Sequence, residues 1–244
     1  MTPINTLVPF LSSIISFIFA VVIFKRFSDR GGAHNLLWGI GMVFYGIGGF
    51  CEAYFGALGW NDTIFRMWYL FGAILVAAWL GQGTVYLLAK RRWANVAMAI
   101  LLGLSLFAAF RVFTAELDPE FLTTSVHTGS ELSGHAIITP GIRTLTPIFN
   151  LYGTIALVGG AVYSAFIFWR KRILLHRTIG NIMIAVGALA PAFGGAFSRF
   201  GIPGALYFGE LFGAILIFAG FVRATTPMKN EQEQPEAMPS PVAD

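Results

Sequence analysis

Apolar residues along this chain fall into long runs separated by short polar breaks. Seven runs have similar length: Leu7 to Phe24, Leu36 to Phe55, Phe65 to Leu88, Trp93 to Phe113, Leu145 to Phe168, Thr178 to Ser198, and Gly204 to Val222. A bilayer core about 30 Å thick is crossed by about 20 predominantly apolar residues in a helix. Backbone groups in lipid must be satisfied within their own segment, so each run reads as a helix. The pattern predicts an all-α polytopic membrane protein with seven spans filling residues 1–223. Residues 224–244 are polar and Pro-containing, and are expected to form a disordered cytoplasmic tail.

Composition agrees. Apolar residues make up 56% of the chain and charged residues 11%, whereas a soluble domain carries about a quarter charged. The net charge of +4 would suggest nucleic acid in a soluble chain. Here the basic residues are sorted by loop. Lys25, Arg26 and Arg30 follow span 1, and Lys90, Arg91 and Arg92 separate spans 3 and 4. Arg170, Lys171, Arg172 and Arg177 separate spans 5 and 6, while Arg223 and Lys229 follow span 7. The opposite loops carry Asp62, Glu116, Asp118, Glu120 and Glu131. The positive-inside rule then sets the N-terminus outside and the C-terminus in the cytoplasm. The expected setting is a bacterial-type inner (cell) membrane, with the lipid bilayer as partner and no nucleic acid. No basic stretch precedes span 1 and Lys-Arg follows it, which reads as an uncleaved span. Cys51 is the sole cysteine, which excludes an intramolecular disulfide and a cysteine metal site.

The one long connection, 114–144, lies on the outer side. LDPE and TPG mark turns within it, and a loop of this length is expected to fold over the mouth of the bundle. The hexapeptide LFGAIL occurs twice, at Leu70–Leu75 in span 3 and Leu211–Leu216 in span 7. The same offset pairs Gly39 with Gly180 and Gly46 with Gly187. A 3+1+3 parallel repeat about span 4 would produce this match, as would the restricted composition of membrane helices. Small-residue steps at Gly209 and Gly213, and the adjacent pairs Gly159–Gly160 and Gly194–Gly195, suit close helix packing. Pro191 should bend span 6.

Twelve of the sixteen basic residues fall on the cytoplasmic side. The other four are all arginine: Arg66, Arg111, Arg143 and Arg199, at the outer ends of four different spans. Two carboxylates share that half. Glu52 comes one turn before the end of span 2, and Glu210 lies ~10 Å inside span 7 at ~1.5 Å per residue. Glu52 shares a helix face with Tyr45, Gly48 and Gly49, and Glu210 shares one with Tyr207 and Gly213, so both should face the bundle interior. Asn150, with Thr146 and Thr154, adds a polar stripe on span 5, and Tyr69 lies just inside Arg66. The ligand-binding candidates are therefore Glu52, Arg66, Tyr69, Arg111, Arg143, Asn150, Arg199 and Glu210. Two roles are open to this layer: arginine forks clasping carboxylates to pin the helices, or a net positive pocket for an anionic or zwitterionic ligand.

Other chemistry finds little footing. His127, Glu131 and His135 are spaced four and four, but Gly129 and Gly134 interrupt any helix there, so no metal is expected. No histidine or aspartate occurs inside a span to serve as base or ligand, so no enzymatic activity and no cofactor are expected. Retinal would need a lysine within the last span, and all four lysines fall on the cytoplasmic side.

The stretch WGIGMVFYGIGGFCEAYFGALGWNDTIFRMWYLFGAILVAAWLGQG resembles the second and third helices of the seven-helix membrane sensor regions of bacterial histidine kinases. Those regions have an acid late in helix 2, then an aromatic-rich helix 3 that starts with arginine; Glu52, Arg66, Trp68 and Tyr69 match these features. No kinase sequence accompanies the spans, so the resemblance implies a ligand-sensing bundle acting through a cytoplasmic or membrane signalling partner. The leading expectation is a sensor or receptor-like bundle with an outward-facing polar pocket. One alternative is a small-solute transporter using Glu210 as coupling group. Another is a structural or partner-binding membrane subunit whose outer ion pairs only hold the helices.

Overall fold

A computed structural model describes residues 3–59, 61–128, 132–170 and 175–226. Each predicted span is a helix: α1 (Pro3–Arg30), α2 (Ala33–Leu58), α3 (Asp62–Leu88), α4 (Arg91–Phe113), α5 (Leu145–Arg170), α6 (Leu175–Arg199) and α7 (Ala205–Thr225). All seven are long and apolar enough to cross a membrane. Several extend past their apolar runs into charged residues, α1 as far as Arg30. Helical hydrogen bonding does not stop where the hydrocarbon does. Among the described residues there is no β-strand, only an isolated bridge between Leu117 and Ile137. Glu131, Lys171, Arg172, Lys229 and the tail beyond residue 226 lie outside the described residues.

The two ends of the bundle differ. One carries the short α1–α2 and α3–α4 connections and basic residues that include Lys25, Arg26, Arg30 and Lys90. There Gly31 and Gly32 turn α1 into α2 at φ 66° and 91°, a region that side chains with a Cβ rarely adopt. The other end carries the 114–144 connection, and is here termed the capped end.

Helix neighbours close a circuit in the order α1, α2, α3, α5, α6, α7 and back to α1. Missing side chains allow these contacts. A Cβ on Gly153 of α5 would lie 2.2 Å from the Ala77 carbonyl of α3, and one on Gly194 of α6 would lie 2.6 Å from the Ala205 carbonyl of α7. Membrane helices lack a hydrophobic drive toward each other, and close backbone approach supplies dispersion instead. The fourth helix stands outside the circuit against α3. It buries a single stripe of Ala94, Leu101, Ser105, Ala108 and Val112, and exposes Trp93, Ile100, Phe107 and Phe110. Polar threads hold it. Gln82 donates to the Ala94 carbonyl at 2.8 Å while its own amide oxygen accepts from Tyr152, and Trp79 donates to Ser105 at 3.3 Å.

The capping connection is an ordered element rather than an open loop. Asp118 caps a short helix, Pro119–Thr128, accepting from the amides of Glu120 and Phe121. Flanking the Leu117–Ile137 bridge, Ile138 donates to Glu116 at 3.0 Å and Asp118 donates to Ala136 at 2.9 Å. Leu122, Leu132, Ala136, Ile137 and Ile142 are buried in one apolar cluster with Phe65, Tyr69 and Phe149. That cluster fastens the cap to α3 and α5.

The two copies of LFGAIL differ in backbone. Leu70–Leu75 falls in a π-helical stretch, Trp68–Leu75, where the Val76 amide reaches back five residues to the Phe71 carbonyl. Leu211–Leu216 is regular α-helix within α7. Identical residues adopt two helical forms, so the surroundings decide. Around the π turn, Gly72 packs Cα to Cα with Gly48 of α2, and the Asn150 side chain donates to the Ala73 carbonyl at 3.1 Å. A side chain from a neighbour re-satisfies backbone groups that a widened turn displaces.

Candidate functional site

Within the circuit, toward the capped end, lies a cavity of about 850 Å³. Five helices line it, α2, α3, α5, α6 and α7, and residues 132–135 of the cap roof it. The first helix contributes nothing to the lining and closes the gap between α2 and α7 from behind.

Glu52 follows from the face it shares with Tyr45, Gly48 and Gly49, all of which line the cavity. Its residue is 1% exposed, and Oε1 accepts from the Trp68 indole N–H at 2.9 Å. An indole N–H buried in an apolar bundle needs an acceptor, so this bond fixes both side chains. Tyr69 is also buried, and its hydroxyl accepts from Thr146 of α5 at 3.0 Å. Asn150 lines the wall while holding Ala73. Glu210 lines the α7 side, where Tyr45 donates to its backbone carbonyl at 2.8 Å and lies within electrostatic reach of both carboxylates. Pro191 of α6 also lines the cavity; proline cannot donate to the Gly187 carbonyl, and that carbonyl faces Gly213.

The four arginines of the sequence layer divide into two pairs. Arg143 and Arg199 line the cavity, and both are exposed at its capped end. Arg66 and Arg111 do not line it. Arg66 turns toward α4, donating to the carbonyls of Val112 at 2.6 Å and Ala115 at 2.9 Å. Arg111 donates to the Pro140 carbonyl at 2.9 Å. Both thus satisfy backbone acceptors at a helix end and in the cap, where four carbonyls per helix lack intrahelical donors. The geometry therefore groups Glu52, Tyr69, Arg143, Asn150, Arg199 and Glu210 around one cavity and leaves Arg66 and Arg111 outside it.

Some lining residues were not among the sequence candidates. Ser133, Gly134 and His135 come from the cap, where Gly134 lies against the Tyr69 ring and leaves no room for a Cβ. His135 Nε2 sits 3.4 Å from an Arg143 nitrogen. The cationic neighbour makes this ring poorly suited to a metal, and among the described residues no cluster of three metal-ligating side chains occurs. The His127 side chain and Glu131, the rest of that spacing, lie outside the described residues. Trp68, bonded to Glu52 sixteen residues before it, was singled out only by the sensor-region resemblance.

Leu80, Leu157 and Ile217 form the deep end of the cavity, all buried. The same three residues border a second, apolar cavity of about 60 Å³ nearer the basic end. Phe19, Trp38 and Phe221 line that second cavity, where Phe19 stacks on Phe218 at 4.7 Å and Trp38 meets Phe221 edge-on at 6.1 Å. Polar lining therefore occupies the capped half, and an apolar plug the other. No protein-family model, curated protein or solved structure matches this chain.

Proposed function

We propose that this protein is a sensor- or receptor-like bundle that binds a small anionic or zwitterionic solute from outside the cell (inner) membrane. The observation that carries this reading is the polar cavity beneath the cap, backed by an apolar plug. The basic residues gathered at the plugged end support an N-terminus outside and a C-terminus in the cytoplasm. A solute would then enter past Arg143 and Arg199 and act through a signalling partner in the membrane or cytoplasm.

One observation favours a second reading, transport. Two cavities lie in series, separated by Leu80, Leu157 and Ile217, as an outer vestibule and an inner gate would. The helix order also fits a 3+1+3 plan, with α1–α3 and α5–α7 completing a circuit and α4 outside it. The unequal backbones of the two LFGAIL copies weigh against strict symmetry.

Purified protein in proteoliposomes, offered radiolabelled amino acids and organic anions, separates the two. The sensor reading expects saturable binding without accumulation, with thermal stabilisation by the bound solute. Accumulation abolished by Glu210→Gln would replace it with transport.

A further inference from the structure

We infer that the ligand of this cavity is a small zwitterion, its anionic end at Arg143 and Arg199 and its ammonium end at Glu52 and Glu210. The inference rests on the binding reading above and narrows it. Counted over the whole polar layer, four arginines face two carboxylates, and the excess favours an anion. The geometry removes two of those arginines, because Arg66 and Arg111 are held on backbone carbonyls outside the cavity. Two positive and two negative side chains remain. A lone anion would match only the cationic half of this charge-balanced lining. A zwitterion matches both halves.

The charges are also layered. Arg143 precedes α5 and Arg199 ends α6, so both stand at the rim and both are exposed. Glu52 lies six residues before the end of α2, and Glu210 five residues after the start of α7. At ~1.5 Å per residue the carboxylates sit roughly 8–9 Å deeper. The deep level is aromatic as well as acidic: the Trp68 indole is bonded to Glu52 and the Tyr45 hydroxyl to the Glu210 carbonyl, and both rings line the cavity. Aromatic faces beside carboxylates attract ammonium groups. At the rim the guanidinium forks suit a carboxylate.

The test uses matched probes of equal length: γ-aminobutyrate, butyrate and butylammonium, then ε-aminohexanoate, hexanoate and hexylammonium. Binding to the full-length protein in nanodiscs is read by calorimetry. In at least one set the zwitterion should bind about tenfold or more tighter than either single-charge analogue, the worth of one charge-assisted contact. Glu210→Gln and, separately, Glu52→Gln should erase the margin over the carboxylate, while Arg199→Gln should erase the margin over the amine. Each variant is first checked for an unchanged melting profile, and an unfolded variant is replaced by the other glutamate's. A carboxylate that binds as tightly as its zwitterion, unaffected by either glutamine, would overturn the inference and leave the binding reading standing. Absence of binding by all six probes would overturn both.

Discussion

Gly153→Ala should destabilise the bundle by about 1–3 kcal/mol, the range for overpacking a filled site. The added methyl would stand 2.2 Å from the carbonyl carbon and oxygen of Ala77 and 2.5 Å from the Ala78 nitrogen. Those are backbone atoms, so α3 and α5 must separate along the wall that carries Tyr69, Thr146 and Asn150. Gly159, six residues along α5, supplies the control because a Cβ there meets nothing within 4 Å. Gly159→Ala should be neutral or raise stability by up to about 1 kcal/mol, since alanine loses less backbone freedom than glycine in a helix. Thermal unfolding of both variants in detergent checks this. Equal behaviour would mean that α3 and α5 are not in backbone contact.

Arg66→Ala is the second large effect expected. Its guanidinium makes two charge-assisted bonds, one to the Val112 carbonyl in the last turn of α4 and one to the Ala115 carbonyl two residues past its end, each worth about 1.5–3 kcal/mol. Since α4 packs mainly on α3, the loss should fray its capped end and loosen the connection that roofs the cavity. Arg66→Lys should rescue little, because one ammonium cannot span two acceptors as a planar fork does. Amide hydrogen exchange over residues 108–122 should rise sharply in both variants, with the basic end of α4 unchanged. If Arg66 instead bound solute, exchange would stay near the native level and ligand affinity alone would fall.

The seven spans were legible because runs of bilayer length admit few other readings. The inward direction of Glu52 and Glu210 was legible too, from the small residues that share their faces. The arginines were not. A guanidinium on a long flexible arm can reach acceptors far from its own Cα, and the acceptors of Arg66 are 46 and 49 residues along the chain. Position at a helix end therefore grouped four arginines that the fold divides. His135 escaped notice as part of the cavity lining because its position depends on the cap folding back onto Tyr69, a contact without local signal. The π turn lay beyond any sequence reading: LFGAIL is π-helical beside Gly48 and Asn150, and α-helical beside α6.

The proposed binding function requires a solute-accessible cavity that opens at the capped end, toward the outside. Ala192 lines that cavity and is exposed, while Cys51 is fully buried. Ala192→Cys in a Cys51→Ala background, treated with a membrane-impermeant maleimide added to intact cells, tests the claim directly. Ala89→Cys, at the exposed α3–α4 link of the basic end, serves as the opposite-side reporter. Labelling of Ala192→Cys from outside, with Ala89→Cys silent until the membrane is opened, is the expected result. Outside labelling of Ala89→Cys with none at Ala192→Cys would contradict it.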